Sequence, residues 1–113
     1  MPNAQFIHHG DAVDYVPASD VSAGDVVVQG DLIGVAKRDH PAGHTAALAV
    51  VGIFDITKAT GGGTAIAAGV DVYWDEGNQQ ATADAGGGAN KLLGKSVLAA
   101  ADGDAIVRVR LSQ

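Results

Sequence analysis

The chain has 113 residues, which is enough for one domain with a modest core. Acidic side chains outnumber basic ones by 13 to 7, and the formal net charge is −6. Nucleic-acid binding and docking on anionic membranes both depend on clustered Lys and Arg, so we expect neither partner. Cysteine is absent, which excludes disulfides and thiolate sites. The first residues lack the basic segment and apolar run of a signal peptide, so we expect a soluble protein made in the cytoplasm.

The composition favours strands over helices. Sixteen residues are glycine, and only two Phe, two Tyr and one Trp are present. Glycine weakens helices, whereas the abundant β-branched residues favour strands. We therefore predict a thin core of Val, Ile, Leu and Ala inside an all-β domain, with at most one short helix.

Strand-like runs alternate with turn signals along the whole chain. Gly52 lies inside the longest run and indicates a bulge or a close backbone approach. One helical turn is compatible with residues 64–68, N-capped by Thr64 and ended by Gly69. In chain order, we predict strands at residues 11–15, 26–29, 32–36, 47–56, 70–74, 92–98 and 105–111. The last strand places Val107, Val109 and Leu111 on one face, and Ile106, Arg108 and Arg110 on the other.

A weak internal repeat relates the two halves of the chain. Residues 24–28 resemble residues 69–73, and Leu-Ile-Gly at 32–34 resembles Leu-Leu-Gly at 92–94. Two similar meanders would close against each other as a small sandwich or barrel. Chance similarity in a chain rich in Gly, Val and Ala stays open as the alternative.

Residues 89–96 nearly match a phosphate-binding loop, but the pattern is broken. Ala89 occupies the position of the first glycine, and no helix-forming stretch follows Ser96. Phosphate binding in such loops requires a glycine-rich turn at a helix N-terminus. We therefore interpret Lys95 as a solvated strand residue, and we expect no bound cofactor.

The histidines, serines and aspartates do not form a convincing reactive group. His8 and His9 are adjacent and point to opposite faces of a strand, while Pro41 and Gly43 prevent a helix that would bring His40 and His44 together. We interpret these histidines as solvated loop residues. No serine lies in a nucleophile elbow, and most aspartates adjoin glycine, as in turns. We expect no catalytic residue and no metal site.

Two features suggest contacts with other proteins. Trp74 is the largest side chain of the predicted core; it, Tyr73 and Phe54 are candidates for either the core or a subunit interface. Residues 1–9 precede the single domain predicted over residues 10–113. They form either a disordered tail or an arm that orders by adding a strand to a partner. The candidate contact residues of this arm are Pro2, Asn3, Ala4, Gln5, Phe6 and Ile7.

The glycine and apolar positions of residues 22–25, 32–36, 69–75, 92–104 and 107–111 carry a family resemblance. The chain resembles a family of short phage and prophage proteins known as the DUF2190 family. Some of its members are described as capsid cement or decoration proteins, and others as RecA/RadA-like recombinases. The resemblance covers nearly the whole chain.

The resemblance implies a β-rich homotrimer on the outer capsid surface of the virion, bound to the major capsid protein and made in the bacterial host. It supplies no catalytic residues. A tail- or fibre-associated β module is the alternative within the virion. A small nucleotide- or DNA-binding protein, as the recombinase description suggests, is disfavoured by the broken loop and by the negative charge.

Overall fold

A computed structural model describes residues 3–7 and 10–112. This part of the chain is all-β, as predicted, and forms two antiparallel sheets. None of its residues lies in a helix long and apolar enough to cross a membrane. The strands are β1 (Ala12–Tyr15), β2 (Val26–Gln29), β3 (Leu32–Ala36), β4 (Ala46–Ala49), β5 (Gly52–Thr57), β6 (Asp71–Asp75), β7 (Gln80–Thr82), β8 (Lys91–Ser96) and β9 (Ile106–Leu111).

The two sheets have the same topology. The first sheet has the order β1-β4-β3-β2, and the second has the order β5-β9-β8-β6-β7. If β7 is set aside as an addition to the edge, strands β1, β2, β3 and β4 correspond to β5, β6, β8 and β9. The predicted pair of similar meanders is therefore confirmed.

The correspondence extends to the loops. Val21 and His40 exchange two backbone hydrogen bonds in the first half, and Ile66 and Ala100 exchange two in the second. Each half also has one equivalent backbone hydrogen bond just before its second strand. Gly24 N donates to Ala36 O before β2, and Gly69 N donates to Ser96 O before β6. Matching hydrogen bonds at matching sequence positions are not expected from chance similarity. The repeat is thus a structural duplication.

The glycine of each Leu-x-Gly segment lies where neighbouring strands approach most closely. A Cβ atom on Gly34 would lie 2.7 Å from Cβ of Leu48. A Cβ atom on Gly94 would lie 1.9 Å from the carbonyl oxygen of Arg110 on β9. Both distances are shorter than van der Waals contact, so these two positions require glycine.

The core lies between the inner faces of the two sheets. On β9 the predicted alternation is confirmed, because Val107, Val109 and Leu111 are buried while Ile106, Arg108 and Arg110 are exposed. Alternation follows from the two-residue period of a strand that covers a core with one face. The other buried side chains of the cluster are Ile33, Val35, Ile56, Ile66, Val72, Trp74, Ala81, Leu93 and Ala100.

The single strand predicted over residues 47–56 is wrong. The chain forms β4 and β5 there, and these strands belong to different sheets. Gly52, with a φ of 121°, begins β5 and pairs with Leu111 of β9. A side chain rarely adopts this left-handed conformation, so Gly52 allows the chain to cross from one sheet to the other.

The helical turn predicted over residues 64–68 is also wrong. Ile66 is 1% exposed and forms its bridge with Ala100, which holds this segment extended. The Thr64 hydroxyl donates to the carbonyl oxygen of Gly61 at 2.6 Å and does not cap a helix. A 3₁₀ turn forms instead at Gly86–Gly88, and β7 was not predicted.

Candidate functional surfaces

The described part of the predicted arm, residues 3–7, lies outside both sheets and is exposed. Phe6 is 76% exposed and Ile7 is 75% exposed, the two highest values among the exposed large apolar side chains. The remaining candidate of the arm, Pro2, lies outside the described residues, as do His8 and His9. The segment therefore presents apolar area to solvent just before the edge strand β1.

The three aromatic candidates do not form one surface. Trp74 is 5% exposed and lies in the core, and Phe54 is half-buried and packs against the same core. Tyr73 is also half-buried, but its position next to Trp74 on β6 directs it to the opposite face. Trp74 is accordingly part of the interior in this structure, whereas Tyr73 retains some accessible area on the outer face.

The outer face of β5 and β9, which we call the β9 face, is a surface that the sequence did not predict. It consists of Ile53, Asp55 and Thr57 on β5, paired with Arg110, Arg108 and Ile106 on β9. Ile53 is 60% exposed and Ile106 is 55% exposed. The alternation of β9 already assigned Ile106 to the exposed side, but the pairing with β5 could not be read from the sequence.

The charges on the β9 face are mostly paired. Arg108 donates two hydrogen bonds to the carboxylate of Asp55, at 2.8 and 3.2 Å. The hydrogen bond from Arg108 lowers the pKa of Asp55, and the same bond raises the pKa of Arg108. Next to this pair, Lys95 of β8 forms an ion pair with Asp71 of β6. Arg110 has no carboxylate within ion-pair distance in the described part of the chain, so the face has a positive excess within an acidic protein.

A cleft of about 260 Å³ opens between the two sheets. Its apolar lining consists of Val26 and Val35 from the first sheet and of Phe54, Ile56 and Trp74 from the second. Polar residues, Asp25 and Asp55 among them, complete the lining. We call it the Trp74 cleft.

One lysine is buried in the second sheet. Lys58 follows β5 and is 3% exposed. Its Nζ donates to the carbonyl oxygens of Ala59 at 2.7 Å and Asp104 at 3.2 Å, and to the hydroxyl of Thr64 at 3.4 Å. The ammonium group thus joins the loop after β5 to the loop before β9.

The residues for which no reactive role was predicted lie in strands and loops of the two sheets. Residues 91–96 of the broken phosphate loop form β8, and no helix follows it; Lys95 is exposed, as expected. His44 is exposed, but His40 is half-buried in its bridge with Val21, which corrects its assignment as solvated. Among residues 3–7 and 10–112, no three His, Asp or Glu side chains gather in a metal-binding arrangement.

A family model described as phage cement protein matches residues 7–111. The chain belongs to the phage cement protein family. No curated protein and no solved structure matches the chain significantly. The family is one of structural proteins associated with the phage capsid, and it extends over both meanders. The match supports the cement role that the sequence resemblance implied and carries neither the DUF2190 name nor the recombinase description.

Proposed function

We propose that this cement protein decorates the outer surface of a phage head as a homotrimer and stabilises the shell by binding the major capsid protein. The observation that carries the proposal is the exposed apolar segment at residues 3–7, in a chain whose family is associated with capsids. The segment is the capsid-contact arm. The two-sheet body holds it at the surface.

The arm binds by burying apolar side chains and by adding extended backbone to the edge of a sheet in the capsid protein. Complete burial of Phe6 and Ile7 would contribute about 1.5–3 kcal/mol each. The ordering of the arm opposes this gain, so one arm binds weakly. Three arms held on one trimer bind the shell together, because the second and third contacts form at a high effective concentration.

The position of such a trimer on the shell explains how it would stabilise the capsid. A trimer that contacts neighbouring capsid subunits binds the assembled shell and loses contacts when the subunits separate. A protein that binds one state of an equilibrium stabilises that state. No bond is made or broken in this role, which is consistent with the structural character of the family.

Association with other copies is supported by the size and the surface of the domain. A chain of 113 residues with a core of mostly aliphatic side chains buries a limited area, so association adds to its stability. The β9 face exposes Ile53 and Ile106 on a regular strand pair, and such apolar positions are typical of interfaces.

The decisive experiment removes residues 1–9. We expect the shortened protein to remain folded and trimeric but to be absent from the pellet when purified expanded capsids are sedimented. As a matched pair of full-length variants, Ile7→Ser should reduce co-sedimentation, whereas Val16→Ser, a change of a similarly exposed apolar residue outside the arm, should not. Undiminished capsid binding by the shortened protein would refute the arm.

The oligomeric state is tested separately. Size-exclusion chromatography with light scattering should give three times the chain mass of 11.3 kDa. A monomer at micromolar concentration would refute the trimer. Fractionation of virions into heads and tails should place the protein with the heads, and recovery with the tails would instead support a tail-associated module.

A further inference from the structure

Two surfaces of the chain have complementary shapes. On the β9 face, Ile53 and Ile106 project into solvent with 60% and 55% of their area exposed. Exposed apolar side chains grouped on one face are typical of a surface that another protein covers. The first sheet carries a hollow of about 240 Å³, and its floor is formed by the small side chains of Ala12, Ala47 and Ala49 on β1 and β4. We call it the alanine hollow.

The duplication places the β9 face and the alanine hollow at equivalent positions in the two halves. When Gly34 is aligned with Gly94, the next residue of each strand pairs with Ala49 in the first sheet and with Arg110 in the second. Further pairs extend this alignment across β1 and β5. The equivalent residues are Ala12 and Ile53, Ala47 and Arg108, and Ala49 and Arg110. Large side chains therefore stand on the second half where the first half has only methyl groups.

The charges of the two surfaces are complementary as well. Arg110 has no carboxylate within ion-pair distance in the described part of the chain. Asp14 is exposed and follows Ala12 by two residues on β1, so its side chain projects from the same face as the hollow. No described basic side chain forms an ion pair with Asp14. Lys37 and Arg38 also line the hollow, and the carboxylate of the β9 face offers them an opposite charge.

We propose that the β9 face of one copy packs against the alanine hollow of the next copy, and that this contact holds the trimer together. Ile53 and Ile106 pack over the alanine floor, and Arg110 donates to the carboxylate of Asp14. Because each copy offers one projecting face and one hollow, the contact joins two different surfaces and can close into a ring. Two β9 faces packed on each other would instead bring together surfaces with the same excess charge. The inference rests on the proposed homotrimer and identifies its interface.

Exchanging the two charges tests the contact in the full-length chain. Arg110→Asp and Asp14→Arg each place like charges opposite one another, so we expect the concentration at which half of the trimer dissociates to rise by at least about tenfold in each. The double variant restores an ion pair in the reverse sense and should return this concentration to within about threefold of the original value. Glu76→Arg makes the same change of charge at an exposed turn outside both surfaces and should have no effect. Light scattering over a dilution series measures the mass, and urea midpoints establish that each variant is folded.

The shape of the contact is tested by filling the hollow. Ala47→Leu adds three carbons to an exposed position of the floor and should also dissociate the trimer, whereas Ala68→Leu, at an exposed turn, should not. If the original protein is a trimer and the variants of both surfaces remain trimeric, or if the double variant is not restored, the contact is refuted and the trimer stands. A monomeric original protein at micromolar concentration would refute the contact together with the trimer.

Discussion

Gly94 occupies the closest approach between two strands, and its replacement tests the packing of the second sheet. In Gly94→Ala, the new Cβ would lie 1.9 Å from the carbonyl oxygen of Arg110 and 2.7 Å from the backbone nitrogen of Ser112. Ordinary contacts of a Cβ begin at 3.4 Å, so β8 and β9 must separate by roughly 1.5 Å. Both neighbours are backbone atoms of β9 and its continuation, and no side-chain rotation relieves the clash.

The cost follows from what this separation breaks. The hydrogen bond from Ser112 N to Leu93 O, 3.0 Å long, lies at the point of strain, as does the pairing of Gly94 with Leu111. Losing one or two backbone bonds costs about 1 kcal/mol each. Forcing apart the buried side chains of Leu93 and Leu111 adds about 1–3 kcal/mol. We expect a loss of roughly 2–5 kcal/mol, a large part of the 5–15 kcal/mol typical of a folded domain.

Urea unfolding followed by the emission of the buried Trp74 measures this loss. Two further glycines calibrate it. Gly34→Ala would meet Cβ of Leu48 at 2.7 Å, a less severe overlap than the one at Gly94, so we expect a smaller loss of about 1–3 kcal/mol. Gly62→Ala meets no atom within 4 Å and should be neutral or stabilising by up to about 1 kcal/mol. If Gly94→Ala is within about 1 kcal/mol of Gly62→Ala, the close approach of β8 and β9 is refuted.

Three further predictions concern polar groups. Lys58→Met keeps the packing but leaves the carbonyl oxygens of Ala59 and Asp104 without their donor; we expect the free energy of unfolding in urea to fall by about 2–4 kcal/mol, and an unchanged midpoint would contradict this. Asp102→Ala removes the acceptor of the backbone N–H groups of residues 64 and 65, which donate to it at 3.0 and 2.7 Å. We expect the free energy of unfolding at the midpoint to fall by about 1–2 kcal/mol, which lowers the midpoint temperature of thermal unfolding by several degrees. For Asp55 the hydrogen bond from Arg108 lowers the pKa in the folded state, so the stabilisation is present above the unfolded pKa and is lost as the pH falls through the folded pKa. Asp55→Asn should therefore be less stable than the original protein at pH 7 and no less stable near pH 2. The midpoints of urea unfolding at each pH measure this. A difference in midpoint that persists at low pH would show that the residue acts through packing.

Turn chemistry explains which strands were predictable. The bounds of β2 and β3 agree with the prediction because Gly30 and Asp31 form a turn between two apolar runs. β7 has only three residues, and of these only Ala81 is buried, so no apolar pattern marks it. Its place in the sheet depends on pairing with β6, which is tertiary information.

The surfaces were less predictable than the strands. The alternation of β9 correctly separated its buried face from its exposed face, but the β9 face requires the partner strand β5. That strand was merged with β4, because the run from Ala46 to Ile53 contains no turn residue except Gly52. The Trp74 cleft draws its lining from both meanders, so no local pattern reveals it.

The duplication also bears on how this protein arose. A chain of about half the length would contain every strand of one sheet, and two such chains facing each other would form a homodimer with two-fold symmetry. Fusion of two ancestral copies would release each from that symmetry. The two halves differ in charge: residues 10–50 carry six acidic and two basic side chains, whereas residues 51–112 carry seven acidic and five basic ones. In the described part of the chain, the second half has an additional strand and a cation-bearing outer face, so the two modules present different surfaces although they share a topology.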